Sequence, residues 1–371
     1  MNADGPQKLR VLHVIDSFDL GGAQTALLNL LRELDPARHV CEVACMHGRG
    51  VFWPEFEALQ LPVHSLSPSK YAPFYLPRLA GVIARFRPDV VHCHLFGSNW
   101  IAKPLAALLG VPVRVNHDQC NDALRYESRA AFWLDRWTNR LSSHVCAVSR
   151  STRDFLVRDE GLSPDRVSVV YNGVDLRRFE PPASRPRRPE WTVLGVGRLT
   201  DQKNFALFLE VLAGLSAAAV PVRGRIAGTG PQENALRAQA RALGLEKRVE
   251  FLGHVTDTAR LYAEADALLM PSRFEGTPLT ALEAMAMRLP IVASRLDGLA
   301  EVLDSGRDAL LVEPGDREGF VRALHRLWQE PALGDALALA AFEKAQTEYS
   351  ARVMATRVES VYESCFREAR G

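Results

Sequence analysis

The apolar positions of the chain form short runs that alternate with longer helical patterns from one end to the other. Candidate strands lie at 10–15, 40–46, 89–95, 112–118, 144–149 and 166–171, and again at 192–197, 222–228, 248–253, 266–272 and 290–294. These runs are apolar at odd and even positions alike, which is typical of strands in a parallel sheet that is covered on both faces. Helical periods lie between them, as at 23–34, 205–215 and 234–243. The pattern predicts two doubly wound α/β domains that face a common cleft.

A stretch rich in proline and arginine, FEPPASRPRRPEW at 179–191, separates the two halves of this pattern. It has no apolar period, so it predicts an interdomain linker. The tail from 331 to 371 is helical in pattern and contains no further candidate strand.

Composition and charge exclude several classes of protein. With 47% hydrophobic and 24% charged residues, the 371-residue chain is not disordered, collagen-like or a disulfide scaffold. A net charge of +1 gives no overall field that would recruit nucleic acid or an anionic membrane, which leaves local basic patches as the alternative. The polar N-terminus lacks the apolar core of a signal peptide, and the six cysteines form no CxxC pair, so we expect a cytoplasmic protein with reduced cysteines.

The segment at 271–294 carries the densest group of candidate functional residues. A helix is predicted to open near Pro278, with Thr277 as its candidate N-cap. The helical rise places Glu283 roughly 8–9 Å from the helix start, which is too far for it to share a proton with Glu275. The spacing suits an elongated ligand such as a nucleotide sugar, whose negative centre rests on the helix N-terminus. The alternative is a pair of solvated or capping glutamates. Helical phase puts Glu283 at the margin of the apolar stripe, so its carboxylate needs hydrogen-bond donors.

Two cations follow a predicted strand further upstream. Arg198 comes directly after the strand at 192–197, and Lys203 comes at the start of the next helix. An arginine fork and a lysine point charge can together neutralise a diphosphate leaving group. The alternative is two surface cations, but their place at a strand end favours the diphosphate.

Glycine turns follow other predicted strands. IAGTGP at 226–231 places Gly230 in a Gly-x-Gly turn, which permits close approach of the backbone to a ligand. Gly21 and Gly22 join the first strand to its helix, but they do not form the G-x-G-x-x-G fingerprint of dinucleotide binders. No nicotinamide cofactor is therefore expected.

Histidines mark two predicted strands of the first half. His92 and His94 share one face of a strand, and His117 lies near the end of another. Each is either a core residue or a group that faces a ligand. The sequence has neither metal-ligand spacing among these residues nor a D-x-D motif, so we expect a reaction without a protein-bound metal ion or a cofactor.

Several motifs occur in a fixed order along nearly the whole chain. They are GG (21–22), DVVHCH (89–94), VSR (148–150), YNGVD (171–175), GVGRLTDQKN (195–204), AGTGP (227–231), FEGTPLTALEAMA (274–286) and LLVEPGD (310–316). Together they resemble the retaining GT-B-fold glycosyltransferases of the family 4 type, or glycosyl transferases group 1. The resemblance implies a UDP- or GDP-sugar donor and a saccharide or lipid-linked acceptor. The implied organisation is a flexible tail at 1–8, an acceptor-side domain at 9–178, the linker at 179–191, a nucleotide-sugar-binding domain at 192–345 and a helix at 346–371 that packs back on the first domain.

On the donor side the resemblance implies contacts to each part of a nucleotide sugar. These are Arg198, Lys203 and Gly22 at the diphosphate, Glu283 at the ribose, Glu275 at the transferred sugar, the backbone N–H groups of Thr277 and Leu279, and the segment at His254 and Val255 at the base. His94 matches the second histidine of the family's H-x-H motif, beside the sugar and the acceptor. The expected catalytic residues are Glu275, His94, Arg198 and Lys203, and the expected acceptor-side residues are His117 and Arg125.

Two positions depart from the family's pattern. Arg288 stands where the family usually has a glycine, so the helix before it must end differently. Asp297 and Gly298 stand where a Gly-Gly commonly follows a strand, which leaves the usual donor contacts of that loop open.

The resemblance implies a retaining transfer by a front-face route, in cell-surface polysaccharide or glycolipid synthesis. Two alternatives stay open: a nucleotide-sugar epimerase of GT-B fold and a non-catalytic GT-B binding protein. The arginine- and tryptophan-containing stretch at 125–158 has two interpretations as well. It is either an amphipathic region with a solvated face or a surface that meets a lipid-linked acceptor at the inner face of a membrane.

Overall fold

Two parallel sheets organise the chain, one in each of two structural units. The first unit comprises Met1–Gly173 and Ala351–Gly371, and the second comprises Val174–Ser350. The structure, a computed structural model, describes residues 8–19, 21–67, 75–119, 128–183, 185 and 189–371.

The sheet of the first unit is parallel throughout, with strand order β3-β2-β1-β4-β5-β6-β7. Its strands are β1 Leu9–Ser17, β2 His39–His47, β3 Val63–Ser65, β4 Val90–His94, β5 Val113–Asp118, β6 His144–Ala147 and β7 Val167–Val169. Its helices are α1 Gly22–Glu33, α2 Trp53–Glu57, α3 Tyr75–Phe86, α4 Phe96–Leu108, α5 Arg129–Asn139, α6 Arg150–Arg158 and, at the C-terminus, α14 Ala351–Arg370, with a 3₁₀ turn at Pro164–Arg166. The order reverses between β1 and β4, which makes their carboxyl ends the switch point of a doubly wound sheet.

Both faces of this first sheet are covered by apolar side chains. One face packs on α1 and on α14, whose Met354, Val358 and Tyr362 are buried in the same core cluster as Leu27 and Val11. The opposite face packs on α3 and α4. Burial on both faces explains why the strand sequences are apolar at consecutive positions.

The sheet of the second unit is also parallel, with strand order β10-β9-β8-β11-β12-β13. Its strands are β8 Trp191–Val196, β9 Val222–Ala227, β10 Val249–Gly253, β11 Ala267–Met270, β12 Ile291–Ser294 and β13 Leu310–Val312. Its helices are α7 Phe205–Ala217, α8 Glu233–Ala242, α9 Thr258–Glu264, α10 Leu279–Ala286, α11 Asp297–Ala300, α12 Arg317–Gln329 and α13 Pro331–Glu348. Here the switch point lies between β8 and β11.

The predicted fold class of two doubly wound α/β domains is confirmed, and every predicted strand is present within a few residues. The structure adds β3 and β13, which pair with β2 and β12 respectively. Each is only three residues long, too short for an apolar period to identify from sequence.

The stretch predicted as a linker lies within the second unit rather than between the units. Phe179 is buried against Tyr262, with ring centroids 6.0 Å apart. Arg185 donates hydrogen bonds to the carbonyls of Tyr262 at 2.8 Å and Met287 at 2.7 Å, at or near the ends of α9 and α10. The sequence does not predict that this stretch packs on α9 and α10. An arginine that donates to carbonyls at helix ends produces no periodic pattern of apolar residues.

None of the helices in the described part of the chain combines the length and apolar composition needed to cross a bilayer.

Candidate active site

The loops after β8 and β11 lie side by side because these two strands are neighbours in the second sheet. The N–H of Arg273 donates to the carbonyl of Gln202 at 2.8 Å, and the Gln202 side chain donates to the carbonyl of Phe274 at 3.2 Å. The sheet therefore brings together two groups of predicted residues that are more than seventy positions apart in sequence.

Lys203 and Glu275 form an ion pair at this switch point. The Nζ of Lys203 lies 2.6 Å from Oε1 of Glu275, and only 17% and 5% of the two side chains are exposed. Ser272 Oγ donates to the same Glu275 oxygen at 2.7 Å. The sequence analysis assigned the lysine and the glutamate to different parts of a donor and did not identify Ser272. The only sequence signal for Ser272 is its position two residues after the end of β11.

Arg198 has a different environment from Lys203. Its side chain is exposed, and within the described part of the chain it makes no hydrogen bond or ion pair. It therefore remains available to an anion at the carboxyl end of β8.

The two glycines of the loop after β9 are required because this loop packs closely on the backbone of the loop after β8. A Cβ on Gly228 would lie 1.9 Å from the carbonyl oxygen of Gly197, and one on Gly230 would lie 2.5 Å from that of Leu199. The N–H of Leu199 donates to the carbonyl of Thr229 at 3.0 Å. Gly230 is predicted from the sequence as a point where a ligand approaches the backbone. In the structure, its packing against the Leu199 backbone is enough to require a glycine at this position. A ligand contact at Gly230 stays a prediction.

The helix that follows Glu275 begins one residue later than predicted. α10 starts at Leu279 with Pro278 as its N-cap, so the prediction of Thr277 as the N-cap is wrong. Thr277 is buried, and the N-cap residue itself, Pro278, makes no side-chain capping bond. The N–H groups and the dipole at a helix N-terminus favour an anion.

Glu283 lies further along α10 and is almost fully buried. Its carboxylate accepts a hydrogen bond from Tyr262 Oη at 2.7 Å. Burial raises the pKa of Glu283 to about 7, although the Tyr262 bond opposes the shift. The sequence predicted that this carboxylate needs a donor, and the protein supplies one from α9. Tyr262 itself was missed because a tyrosine in a helical pattern is usually a core residue.

The two departures from the family pattern have structural explanations. Arg288 takes the left-handed conformation that a glycine would adopt without strain, with φ +50°. Its guanidinium lies 4.4 Å from the centroid of the Phe342 ring. Gly298 packs on the loop of Glu275, where a Cβ would lie 2.4 Å from the Glu275 carbonyl oxygen. Asp297 opens α11 as an exposed residue.

The segment predicted to hold the base follows β10. His254 is exposed and Val255 is half-buried, immediately after Gly253. Gly253 accepts from the N–H of Gly228 at 2.7 Å, which joins the β10 end to the loop after β9.

In the first unit, Gly22 and His94 lie at the β1–β4 switch point. Gly22 is the exposed first residue of α1, and the N-cap residue before it is Gly21. His94 is the last residue of β4 and pairs in register with Ile15 of β1 and His117 of β5.

His94 belongs to a buried cluster of four histidines, of which the sequence analysis missed His13. His13 Nδ1 lies 3.2 Å from His94 Nε2, and His92 Nδ1 lies 2.5 Å from Tyr362 Oη. His117 stacks on His92 with parallel rings and centroids 5.5 Å apart. Burial lowers the pKa of His13 to about 3 and of His117 to about 4, and places those of His92 and His94 well below the usual value. All four rings are therefore neutral at pH 7.

No metal-ligand cluster is predicted from the sequence, but His13, His92 and His94 meet the geometric condition for one. Each offers a ligand atom, and these atoms lie within 4.8 Å of one another. The group has no carboxylate, and all three side chains are buried, so a divalent ion there would have only neutral ligands.

Asp16 is a further residue that the sequence analysis missed. Its carboxylate accepts from the N–H groups of Gly97 at 2.8 Å and Ser98 at 2.6 Å, so it caps α4 directly after His94. Leu95, between the strand and this helix, has φ +75°, a strained conformation for a branched side chain. Burial raises the pKa of Asp16, and the two N–H bonds oppose that shift. Asp16 thus stabilises the turn between His94, the last residue of β4, and the start of α4. Arg125, the other acceptor-side candidate, lies outside the described residues.

Comparison with known proteins decides the family. Residues 20–178 match the family described as Glycosyltransferase Family 4, and residues 190–330 match Glycosyl transferases group 1. The glycogen synthase of Mycobacterium tuberculosis is 30% identical over 295 residues, which span 76% of this chain and 70% of that protein. The chain belongs to the family 4, or group 1, glycosyltransferases.

Other comparisons agree with this membership. A relative from Escherichia coli, named as UDP-Gal:alpha-D-GlcNAc-diphosphoundecaprenol alpha-1,3-galactosyltransferase, is 27% identical and spans 66% of this glycosyltransferase and 67% of its own length. The structure of Anabaena Alr3699/HepE in complex with UDP-glucose superposes with a TM-score of 0.85 at 20% identity, over 96% of this chain and 100% of that one. Sucrose-phosphate synthase from Thermosynechococcus elongatus superposes with a TM-score of 0.82 at 19% identity, over 97% of this chain and 100% of that one. At such identities these likenesses establish the GT-B fold.

Proposed function

We propose that this glycosyltransferase is a retaining, metal-independent enzyme that moves a sugar from a UDP- or GDP-sugar to a saccharide or lipid-linked acceptor. Its pathway is cell-surface polysaccharide or glycolipid synthesis. It works at the inner face of the membrane when the acceptor is lipid-linked. Family membership supports the transfer of a sugar.

The observation that carries this proposal is the Lys203–Glu275 pair at the β8–β11 switch point. A cation and a carboxylate in contact suit a ligand in which a diphosphate adjoins a hydroxylated sugar, because each charge has its own partner on such a ligand. Arg198 adds a second, exposed cation, and α10 adds the N–H groups and the dipole of its N-terminus. Glu283 further along α10 is assigned to the ribose hydroxyls, and the segment at His254 and Val255 to the base.

The proposed chemistry is stabilisation of charge on the leaving group. As the bond from sugar to phosphate breaks, Arg198, Lys203 and the N-terminus of α10 stabilise the growing negative charge. Glu275 accepts hydrogen bonds from the sugar, which acquires positive charge. Sequence reasoning identified no nucleophilic carboxylate, so we assign the front-face route, in which the leaving phosphate helps to take the acceptor proton. His94, as the family's second H-x-H histidine, is assigned to the sugar and the acceptor.

Similar proteins support a uridine nucleotide as the first donor to test. Alr3699/HepE has been crystallised with UDP and glucose, and the Escherichia coli relative is named for a UDP-Gal donor and a diphosphoundecaprenol-linked acceptor. The deciding measurement is thermal shift against UDP, GDP, ADP and their sugars. Stabilisation by one nucleotide family, lost in Lys203→Met but kept in Lys247→Met, supports the donor site. Lys247 is an exposed lysine of the same unit and is the matched control.

Transfer itself separates the proposal from its alternatives. With the donor identified, the protein is incubated with and without saccharide and lipid-linked acceptors, and the product is examined by NMR. A glycoside with the donor's anomeric configuration supports the proposal, and the inverted configuration contradicts retention. Epimerised sugar formed without acceptor identifies an epimerase, while nucleotide binding without any turnover identifies a binding protein.

A further inference from the structure

Helix α5 of the first unit presents large apolar side chains to the outside. Trp133 is 56% exposed, Trp137 is 54% exposed and Leu134 is 41% exposed. At about 100° of rotation per residue, these three side chains and Ala130 lie within one third of the helix circumference. Exposed tryptophans grouped on one helix face are unusual for a surface that contacts only water.

Buried polar groups fix the rotation of this helix. Asp135 accepts from Trp100 Nε1 at 3.2 Å on the inner side. Asn139 accepts from Lys103 Nζ at 2.7 Å and donates to Glu160 Oε2 at 2.7 Å. Because turning Trp133 or Trp137 inward would leave these buried groups unpaired, the exposure of the tryptophans is built into the fold.

Three arginines flank the apolar stripe on one side. Arg129, Arg136 and Arg140 precede the stripe by about 20–60° of helix rotation. The guanidinium of Arg136 lies 5.0 Å from the centroid of the Trp133 ring. The only acidic residue of α5 is Asp135, which is buried, so the outer face of this helix carries positive charge alone.

We propose that this face of α5 binds an anionic phospholipid surface. An interfacial helix needs an apolar stripe that enters the acyl boundary and a cationic edge that meets the headgroups, and α5 has both. Tryptophan suits this position because its ring is largely apolar and its N–H is polar. The inference deepens the proposed function, since a lipid-linked acceptor would lie in the same surface.

The test is co-sedimentation of the full chain with vesicles of phosphatidylcholine alone or mixed with phosphatidylglycerol. We expect binding to the mixed vesicles, release by high salt and a shift of tryptophan emission to shorter wavelength. Trp133→Ser/Trp137→Ser should weaken vesicle binding at least about tenfold. Arg129→Gln/Arg136→Gln/Arg140→Gln should weaken it about fivefold per arginine and remove the preference for phosphatidylglycerol.

The matched control is Leu339→Ser/Arg241→Gln, which removes an exposed leucine and an exposed arginine from the second unit. It should bind vesicles as the wild type does, and all variants should keep the wild-type unfolding transition.

Equal recovery from neutral and mixed vesicles, or unchanged binding by the tryptophan variant, would overturn the proposal. So would a vesicle-free dimer that the tryptophan variant converts to a monomer, because the face would then be a contact between copies. No donor or acceptor is present, so failure here is distinct from failure of the proposed transfer.

Discussion

Lys203 Nζ lies 2.6 Å from Glu275 Oε1, so each side chain neutralises the other in the protein without a ligand. The proposed function gives the lysine to the diphosphate and the glutamate to the transferred sugar. A bound donor must therefore break an ion pair that is already formed. The effects of substituting the two residues should then not be additive.

Glu275→Gln should lower kcat by at least about tenfold. A hydrogen bond to a charged group contributes roughly 1.5–3 kcal/mol, and the bond to the sugar strengthens as positive charge develops. Affinity for the bare nucleoside diphosphate should stay at the wild-type value or increase, because the variant no longer competes for Lys203. Initial rates and calorimetric titration measure the two effects. A variant that loses nucleotide affinity while keeping kcat would mean that the donor is placed backwards along α10.

Lys203→Met should destabilise the protein by about 3 kcal/mol, because it removes the cation from the buried Glu275 carboxylate and leaves it the hydrogen bond from Ser272 Oγ. Adding Glu275→Gln removes the unpaired charge and should recover most of that loss. Urea unfolding of the two single variants and the double variant measures the coupling. Additive effects would show that the ion pair does not contribute to stability.

Glu283 should make stability fall as pH rises from about 4.5 to about 7. Its pKa is raised from 4.5 to about 7 by burial, so the folded protein holds this proton more tightly than the unfolded chain. The stabilisation is complete below pH 4.5 and is lost through pH 7, by on the order of 3 kcal/mol. Glu283→Gln should abolish this difference between urea unfolding at pH 5 and at pH 8. Glu348→Gln, at an exposed position, should retain it.

Nucleotide affinity should have the opposite pH dependence. Ribose hydroxyls that donate to Glu283 favour its ionised form, so binding releases a proton and becomes tighter as pH rises through about 7. Glu283→Ala should weaken both the sugar nucleotide and the bare diphosphate, with little change in kcat. Calorimetry in buffers of different ionisation enthalpy counts the released proton. Proton uptake instead of release would place the ribose elsewhere.

Arg288→Gly should be about 1 kcal/mol more stable than Arg288→Ala. Both variants lose the contact with the Phe342 ring, but only glycine adopts φ +50° without steric cost. Gly244 occupies the equivalent position after α8, with φ +68° and open space where a Cβ would lie. Gly244→Ala should therefore lose a similar amount in the same denaturation experiment. If Arg288→Ala equals Arg288→Gly, backbone conformation does not limit this helix end.

His13→Leu should reduce kcat about five- to tenfold while leaving the KM for the donor unchanged. His13 Nδ1 contacts His94 Nε2, and one such hydrogen bond, worth about 1 kcal/mol, orients the His94 ring and fixes its tautomer. His13→Asn keeps a polar atom at the Nδ1 position and should restore most of the rate. Nitrogen NMR of His94 reports the tautomer directly. Equal loss in the leucine and asparagine variants would leave His13 with a packing role only.

Turnover should persist in EDTA, and the purified protein should contain less than one equivalent of bound metal. The His13, His92 and His94 group has the spacing for an ion but supplies neutral ligands alone in a buried site. Elemental analysis measures the metal content of the purified protein, and initial rates before and after chelation measure the effect of metal removal on turnover. Stoichiometric metal, together with activity that only Mn²⁺ or Mg²⁺ restores, would contradict the metal-free chemistry.

The sequence by itself determined the strands and the edge of the sheet at which the chemistry lies. Consecutive apolar positions identify strands buried on both faces, and polar residues such as Arg198 and Glu275 stand out because they lie in the loops that follow those strands. Such features depend only on neighbouring positions in the chain, so they can be recognised in a single sequence. The glycines that follow strands can be recognised in the same way. The sequence does not show whether a ligand or another loop of the protein packs against such a glycine, as at Gly230.

Only the tertiary structure decided which of these residues meet. The strand order joins β8 to β11 and so pairs Lys203 with Glu275, while α9 brings Tyr262 to Glu283 across twenty-one positions. The rotation of α5 depends on Asn139 and its buried partners from three other segments. Such contacts are set by the packing of elements that are distant in sequence. The free energy of burying a polar group depends on which hydrogen-bond partner this packing places beside it. No periodicity or spacing along the chain encodes that partner.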